Sequence, residues 1–331
     1  MPSDVRPAVE TSFIMRIIHL NTYSEPVPVG ACVATLGFFD GVHRGHRYLM
    51  QHVIEEARRL GLPSMVITFD RHPRQVLRQD YQPELLTTLD SKLQLIEQAG
   101  VDIVAVLHFD EMLAGLSARD FMATILKSCL HVTKFVIGYD NRFGHNRAEG
   151  FDDYVGYGRE LGITVVRSQA YTYNGIEVSS SVVRAFLKAG EIGLANSCLG
   201  YEYKISGKVV DGLKMGRELG YPTANLDVSG TGLLIPFSGV YATRVRLYHD
   251  DVWLPAMTDI GTRPTFGEFK STIETYIFNF RSDIYGEPMD LSFVHRIRSE
   301  KKFDNVTLLV EQLKDDERRV EELFSNQHDQ E

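Results

Sequence analysis

The feature that most constrains the fold is a change in the spacing of apolar residues near residue 203. Before it, segments of helical spacing alternate with short apolar runs, which lie at 31–37, 64–69, 101–107, 134–138 and 163–167. Apolar strands that alternate with helices are typical of a parallel sheet covered on both faces. After it, residues 203–300 alternate apolar and polar side chains between frequent turns, which predicts a small antiparallel barrel. We therefore predict an α/β domain with a parallel sheet, followed by a β-barrel.

Local patterns place helices between the predicted strands. In residues 45–60, apolar side chains recur at steps of three and four, which predicts an amphipathic helix. Ser117 is predicted to cap a helix that runs through Leu130, and Asp90 is predicted to cap one that runs through Ala99. The strands and helices together account for most of the first half of the chain.

The same patterns predict the domain boundaries. Met15 is a candidate start of the protein, so the residues before it are expected to form a disordered extension. The last segment, 305–324, returns to helical spacing and is expected to pack on the barrel. The predicted organisation is an extension at 1–14, an α/β domain at 15–187, a linker with a short helix at 188–202, and a barrel domain with its terminal helix at 203–325.

Composition excludes several classes of protein. The 331 residues are 44% hydrophobic and 24% charged, which is typical of a soluble globular protein. The net charge of −9 argues against a general nucleic-acid or anionic-membrane binder, and the sequence has no apolar run long enough to cross a bilayer. The 3 cysteines are far apart and favour a reducing cytoplasm over a disulfide scaffold. The expected partners are small molecules, and the oligomeric state stays open.

Polar motifs follow four of the predicted parallel strands. They read GFFDGVHRGH at 37–46, TFDRHPR at 68–74, HFDEM at 108–112 and GYDNRFGHNR at 138–147. The carboxyl ends of parallel strands meet at one edge of the sheet, where open α/β folds bind ligands. The sequence therefore predicts a ligand site at this edge.

The motif GFFDGVHRGH is typical of a phosphate site. Gly41 and Gly45 allow close approach of the backbone to a ligand, and a helix is predicted to begin near His46. His43 and His46 are three residues apart and would face the same side of a first helical turn, where they could stabilise charge on a leaving pyrophosphate. Two alternatives are a zinc site that uses Asp40 with both histidines, and a purely structural role in capping or packing.

A serine-rich turn supplies a second set of phosphate-binding candidates. Ser179, Ser180 and Ser181 lie at a predicted helix start, where hydroxyl groups either cap the helix or contact phosphate. Arg184 is suited to a bidentate contact with phosphate, although a lone arginine on a helix is usually only solvated.

The segment 206–226 predicts a second site, within the barrel. It reads SGKVVDGLKMGRELGYPTANL and is rich in glycine and basic residues, which suits a loop that folds over phosphates. Thr223 and Asn225 offer oxygen ligands suited to Mg²⁺ beside a phosphate. The candidates for nucleotide binding in this segment are Gly207, Lys208, Gly216, Arg217, Thr223 and Asn225.

The first motif resembles the signature of the nucleotidyltransferases related to class I aminoacyl-tRNA synthetases. Together with 68–74, 138–150 and 178–184, it is more closely similar to the adenylyltransferase half of bacterial bifunctional riboflavin kinase/FMN adenylyltransferases. The resemblance implies a Rossmann-like nucleotidyltransferase domain in which His43 and His46 are catalytic. It implies ATP binding by Gly37, Phe38, Asp40, His43, Gly45, His46, Ser180, Ser181 and Arg184. It implies flavin binding near Phe69, His72, Pro73, Arg74, Asp140 and Asn141.

The second segment resembles the riboflavin kinase signature G-x-V-x-x-G-x-x-x-G-R-x-L-G-x-P-T-A-N. Further matches are GVYA, GTRPTF, ETYIFNF and DIYG, between residues 239 and 286. The resemblance implies that Thr223 and Asn225 hold a Mg²⁺–nucleotide. It also implies that Glu274 is the base that acts on the riboflavin 5′-hydroxyl, whereas the sequence alone would favour an exposed strand residue.

The resemblance covers about residues 15–325 and predicts a two-step synthesis of FAD. Riboflavin would be phosphorylated to FMN in the barrel, and FMN would be adenylylated to FAD in the α/β domain, with ATP as co-substrate and Mg²⁺ as cofactor. Phe38, Arg47 and the sequence VSSS depart from common family residues, which affects the expected ATP contacts. The alternatives are an inactive flavin-sensing regulator, and a nucleotidyltransferase for another phosphate ester with a regulatory barrel.

Overall fold

The computed structural model describes residues 14–22, 24–78, 80–212, 215–247, 250–265 and 268–328. The predicted extension at 1–14 lies outside these ranges except for Ile14. The chain forms two compact units. The sheet unit comprises the chain up to Phe38, His46–Gln79 and Leu93–Ala170, and the barrel unit comprises Phe39–Gly45, Asp80–Lys92 and the chain from Tyr171 onwards. The predicted domain boundary at 188–202 stays a prediction.

The sheet unit contains a six-stranded parallel sheet. Its strands are β1 (Arg16–Leu20), β2 (Cys32–Leu36), β3 (Ser64–Phe69), β4 (Ile103–Leu107), β5 (Val132–Ile137) and β6 (Thr164–Arg167), in the order β1-β4-β3-β2-β5-β6. Every pairing is parallel, so the prediction of a parallel sheet is confirmed. The sequence analysis missed β1, an edge strand in which only Ile18 and Leu20 are buried.

The helices of the first half of the chain largely follow the predicted pattern. They are α1 (Arg44–Leu60), α2 (Pro73–Leu77), α3 (Leu89–Gln98), α4 (Glu111–Gly115), α5 (Ala118–Phe121) and α6 (Phe151–Leu161), with a short 3₁₀ turn at His145–Arg147. Ser117 caps α5, because its hydroxyl accepts the main-chain N–H of Asp120 at 3.1 Å. The predicted helix continues beyond α5 to Cys129, and Met122–Cys129 takes the π-helical form.

One predicted cap is wrong. Asp90 lies inside the first turn of α3, and Thr88 takes the capping position. The Thr88 hydroxyl accepts the N–H of Ser91 at 3.2 Å, and its carbonyl accepts the N–H of Lys92 at 3.0 Å. A hydroxyl in front of the helix reaches the free N–H groups of the first turn, whereas a side chain within that turn points away from them.

The barrel unit begins with a hairpin and two helices, whose bounds are β7 (Thr172–Tyr173), β8 (Ile176–Glu177), α7 (Ser180–Ala189) and α8 (Ile192–Leu199). The following elements are β9 (Tyr203–Val210), α9 (Met215–Glu218), β10 (Ala224–Asp227), β11 (Gly239–Leu247), β12 (Leu254–Thr265), β13 (Glu268–Ile277), β14 (Pro288–Arg298) and α10 (Val306–His328). Strands β9 to β14 close into an antiparallel barrel in the order β10-β13-β12-β11-β14-β9, which confirms the predicted barrel.

Helix α10 packs on the outside of the barrel, as predicted from its helical spacing. Val320 is fully buried in a cluster with Val240, Ala242 and Met257 of the barrel strands. Arg298 of β14 also pairs with the buried carboxylate of Asp316 at 2.8 Å. Apolar packing and an ion pair thus hold helix α10 against the barrel.

None of the helices in the described ranges has both the length and the apolar character needed to cross a membrane.

Candidate active sites

The loop after β2 contains a buried carboxylate, that of Asp40, which binds groups from distant parts of the chain. Asp40 is 3% exposed, and it accepts the main-chain N–H groups of Leu86 at 2.9 Å and Thr87 at 3.1 Å. It also forms an ion pair with the guanidinium of Arg184. Burial raises the pKa of Asp40, while Arg184 and the two main-chain donors act in the opposite sense. The zinc alternative is disfavoured, because this carboxylate is occupied by protein donors.

His43 ends the same loop and is 4% exposed. Burial, and then the charge of Arg184, lower the pKa of His43 to about 4. The imidazole is therefore neutral at physiological pH and presents one donor and one acceptor nitrogen. Space beside it at Gly45 is tight, since a Cβ there would lie 3.2 Å from the His43 ring and 3.1 Å from the Val178 carbonyl oxygen.

The hydroxyl groups of the serine-rich turn have two different roles. Ser179 caps α7 by accepting the N–H of Val182 at 3.3 Å. Ser180 donates to the carbonyl oxygen of Asp40 at 2.9 Å, so it is tied to the loop that carries His43. Arg184 donates from Nε to the carbonyl oxygen of Glu84 at 2.7 Å, in addition to its pairing with Asp40. Ser181 lies in the first turn of α7. These residues form the first candidate group, in the barrel unit.

The sheet unit holds a second group of predicted residues. Gly37 donates its N–H to Ile67 at 3.0 Å, and the Phe38 carbonyl accepts the Thr68 hydroxyl at 3.1 Å. The rings of Phe38 and His72 meet edge to face with centroids 4.8 Å apart. An aromatic pair of this kind, next to the ends of β2 and β3, is suited to contact a planar ring.

His72 opens α2 as a capping residue. Its Nδ1 accepts the N–H of Arg74 at 3.1 Å, and Pro73 occupies the first helical position, where the missing N–H has no consequence. Phe69, by contrast, packs edge to face on Phe109 with centroids 5.2 Å apart. This contact indicates that Phe69 is a packing residue of the sheet unit.

Asn141 ties two loops of the sheet unit together. Its side-chain amide donates to the carbonyl oxygen of Leu36 at 2.5 Å, which joins the loop after β5 to the end of β2. Asp140 beside it is exposed. The remaining first-site candidate of this unit, His46, is half-buried in the first turn of α1.

The barrel unit contains a separate site around β10 and β13. The Thr223 hydroxyl donates to Oε2 of Glu274 at 3.3 Å, and Asn225 is directly opposite Glu274 in the strand register. All three side chains are half-buried. The structure therefore brings together three oxygen-bearing side chains that the sequence analysis selected, and such donors suit a hard divalent cation.

Glycines shape the surroundings of these three residues. A Cβ on Gly212 would lie 2.1 Å from the Asn225 amide nitrogen, and a Cβ on Gly216 would lie 2.2 Å from the Tyr221 carbonyl oxygen. A Cβ on Gly207 would lie 2.3 Å from the carbonyl oxygen of Asp227. At these positions glycine is needed for close packing, which is a structural role beside the predicted loop function.

Two basic candidates belong to the same segment. Lys208 lies on β9 with an exposed side chain, opposite Asp227. Arg217 is exposed on α9. Lys214 and residue 213 lie outside the described residues.

The structure adds Asp259, which the sequence analysis missed. It is opposite Glu274 in the register of β12 and β13, on the same face of the barrel wall. Asp259 is exposed to solvent, yet desolvation by the surrounding protein atoms, and then Glu300, raise the pKa of Asp259 to about 6. A second carboxyl group beside Glu274 adds negative potential to the site. The pairing of the consecutive strands β12 and β13 places it there.

Thr87 was also missed, because no motif marks it. It is 8% exposed, and its hydroxyl accepts the N–H of Gly41 at 3.1 Å. In the sequence, Thr87 is one of two adjacent threonines, and nothing in this pair predicts a contact with Gly41, 46 residues away.

Comparison with known families covers both halves of the chain. A family model described as FAD synthetase matches residues 28–182, and one described as riboflavin kinase matches residues 199–324.

Curated relatives match over nearly their whole length. A bifunctional riboflavin kinase/FMN adenylyltransferase of Escherichia coli (strain K12) is 37% identical over 297 residues, which cover 90% of this chain and 94% of the relative. The protein of the same description in Bacillus subtilis (strain 168) is 35% identical over 302 residues, which cover 89% of this chain and 93% of the relative.

A solved structure is similar along most of the chain. It is described as a macrolide-efflux protein from Streptococcus pneumoniae, with a TM-score of 0.83 and 31% sequence identity, and the match covers 93% of this chain and 99% of that one.

Proposed function

The chain belongs to the family of bifunctional riboflavin kinase/FMN adenylyltransferases, and from this premise we propose which residues carry its two reactions. The barrel region phosphorylates riboflavin with ATP to give FMN, and the region before it transfers AMP from a second ATP to FMN, which gives FAD and pyrophosphate. The inactive regulator and the transferase for another ester are not favoured.

Glu274 is the proposed base of the kinase reaction, and its contact with Thr223 is the observation that carries the assignment. The carboxylate accepts the proton of the riboflavin 5′-hydroxyl while that oxygen bonds to the γ-phosphorus of ATP and the bond to ADP breaks. The Thr223 hydroxyl, 3.3 Å from Oε2, orients the carboxylate. The half-buried setting keeps the group within reach of substrate and partly shielded from water.

Thr223 and Asn225 are the proposed ligands of Mg²⁺ that arrives with the nucleotide. The hydroxyl and amide oxygens beside a carboxylate form a donor set that fits a hard cation. When bound, the cation neutralises charge on the transferred phosphoryl group. Gly207, Lys208, Gly216 and Arg217 would contact the phosphates.

His43 and His46 are the proposed catalytic groups of adenylyl transfer. The FMN phosphate is already a nucleophile, so no general base is needed. One of its oxygens bonds to the α-phosphorus of ATP, and the bond to the leaving pyrophosphate breaks. A neutral His43 still carries one ring N–H, which can donate a hydrogen bond to a phosphate oxygen. Ser180, Ser181 and Arg184 support the same phosphates.

The remaining first-site residues are proposed to bind the nucleotide and the flavin. Gly37, Phe38, Asp40 and Gly45 are the residues proposed to bind ATP. The Phe38–His72 pair is proposed to contact the isoalloxazine ring system. Phe69, Pro73, Arg74, Asp140 and Asn141 complete the proposed flavin environment.

We further propose a cytoplasmic enzyme that acts on small molecules and does not bind nucleic acid. Its described cysteines, Cys32, Cys129 and Cys198, are free and buried, which suits a reducing compartment.

The test is a pair of variants assayed for the two reactions separately. Glu274→Gln should lower FMN formation by about 10²- to 10⁴-fold, the range for loss of a general base, and should leave FAD formation from supplied FMN unchanged. His43→Ala or His46→Ala should lower FAD formation at least about 100-fold, since each removes an electrostatic donor, and should leave FMN formation unchanged. Full FMN formation by Glu274→Gln removes the base, and full FAD formation by either histidine variant removes that assignment.

A further inference from the structure

The segment Glu84–Thr87 connects the His43 loop to the barrel. On one side, the main-chain N–H groups of Leu86 and Thr87 both donate to the Asp40 carboxylate. The Thr87 hydroxyl accepts the N–H of Gly41 at 3.1 Å and donates to Asp40 at 3.3 Å. The two main-chain N–H groups and the Thr87 hydroxyl therefore hold Asp40 and Gly41 in place by hydrogen bonds.

The loop has little freedom at this point. Gly41 has a φ of +80°, and a Cβ there would lie 2.8 Å from the Leu86 side chain. Its carbonyl oxygen accepts the Tyr201 hydroxyl at 2.6 Å. Gly41 thus uses both main-chain polar groups, and its position determines where the chain enters Val42 and His43.

On its other side, the segment is paired with a barrel loop. Leu85 donates its N–H to the Gly232 carbonyl at 2.7 Å, and its own carbonyl accepts the N–H of Leu234 at 2.8 Å. These bonds form a short parallel bridge between Leu85 and Leu233, in the loop that joins β10 to β11. The barrel loop therefore holds the residue that precedes the Asp40 donors.

We propose that Thr87 is a positioning residue for adenylyl transfer, and that the bridge from Gly232 through Leu85 to Thr87 makes the geometry of His43 depend on the kinase barrel. Thr87 acts through the Asp40–Gly41 backbone and does not touch substrate. The inference rests on the proposed role of His43.

The physical basis is the steep dependence of rate on the placement of catalytic groups. A displacement of about 1 Å at a catalytic group can lower a rate by about 100-fold. Loss of the Thr87 hydroxyl would free the Gly41 N–H and remove one donor from the buried Asp40 carboxylate. The loop would then relax, and His43 would shift with it.

The first test compares Thr87→Val with Thr87→Ser in the full-length enzyme. Thr87→Val keeps the shape and removes the hydroxyl, and it should lower the kcat of FAD formation from supplied FMN by about 10- to 100-fold. The KM values for ATP and FMN and the rate of FMN formation should stay as in the unmodified enzyme. Thr87→Ser restores the hydroxyl and should restore kcat.

Three results would overturn the positioning role. They are full FAD formation by Thr87→Val, failure of serine to restore it, and an equal loss of FMN formation. If the unmodified enzyme itself makes no FAD from FMN, the proposed function fails instead. If it does make FAD and only the Thr87 prediction fails, the inference alone is wrong.

The second test perturbs the bridge from the barrel side and does not depend on the stability of the Thr87 variants. Gly232 has a φ of +69°, and a Cβ there would lie 3.1 Å from Pro83 Cγ. Gly230, in the same loop, has a φ of +79° and open space around it. Alanine therefore adds similar backbone strain at both positions, but only Gly232→Ala also makes a tight contact with Pro83, two residues before Leu85.

Gly232→Ala should slow FAD formation by about 10-fold relative to Gly230→Ala, with FMN formation equal in the two variants. Equal FAD formation by the two alanine variants would refute the dependence on the barrel.

Discussion

Protonation of His43 should make a measurable contribution to the acid sensitivity of the protein. Burial, and then Arg184, lower its pKa from the ordinary 6.5 to about 4. The unfolded chain therefore binds a proton at this residue below pH 6.5, whereas the folded chain does so only below about pH 4. Stability from this residue is fully present above pH 6.5 and is lost as the pH falls towards 4.

The size of the effect follows from the two pKa values. The difference between 6.5 and about 4 corresponds to about 3 kcal/mol once the pH is below both values, at about 1.4 kcal/mol for each pH unit. At about pH 5 the loss relative to about pH 7.5 is about 2 kcal/mol, because the folded histidine is still mostly neutral there. Burial of the ring, which is 4% exposed, limits screening by solvent.

The assay is urea denaturation of the unmodified protein and of His43→Gln at about pH 7.5 and about pH 5. Glutamine does not titrate, so the variant should lose about 2 kcal/mol less unfolding free energy between the two pH values than the unmodified protein does. His295→Gln, at an exposed histidine, is the control and should follow the unmodified protein. Equal pH dependence of His43→Gln and the unmodified protein would refute the buried neutral histidine and, with it, the neutral donor in the proposed mechanism.

Two further predictions concern the barrel. Asp316→Ala should lower the unfolding free energy by about 3–5 kcal/mol in urea denaturation, because it leaves the largely buried guanidinium of Arg298 without its carboxylate. Gly212→Ala should lower the riboflavin kinase rate by about 10-fold or more while adenylyl transfer is retained, since the new Cβ would collide with the Asn225 amide, which lies 2.1 Å from its position.

Neighbouring residues provide controls for both experiments. Asp315→Ala removes a half-buried carboxylate that pairs with the exposed side chains of Arg318 and Arg319, and it should have a much smaller effect on stability than Asp316→Ala. Gly220→Ala adds backbone strain at a φ of +84° but has open space, so it should retain more kinase activity than Gly212→Ala. The reverse order in either pair would contradict the corresponding argument.

Sequence patterns predicted the architecture well where they are local and strong. The apolar runs that became β2 to β5 are largely buried, and the run that became β6 is only partly buried, yet their spacing was enough to indicate a parallel sheet. Strand β1 was missed because it is an edge strand in which only Ile18 and Leu20 are buried, so its apolar signal is weak. The π-helix at Met122–Cys129 was missed because apolar spacing does not distinguish it from an α-helix.

Catalytic candidates were found where the chemistry is contiguous in the sequence. His43 and His46 lie in one motif, and Thr223 and Asn225 lie in another. Glu274 was selected only through family resemblance, and the structure brings it to 3.3 Å from Thr223. The roles of these residues in catalysis stay proposals.

The sequence by itself determined the fold class, because the spacing of apolar residues is a local property of the chain, and its contiguous motifs indicated the two reactions and the candidate residues through family resemblance. Only the tertiary structure decided what those residues contact. It turned Asp40 towards Leu86 and Thr87, 46 and 47 residues away, and towards Arg184, 144 residues away. A buried carboxylate needs donors from whichever segments surround it, and the packing of distant segments is what selects them.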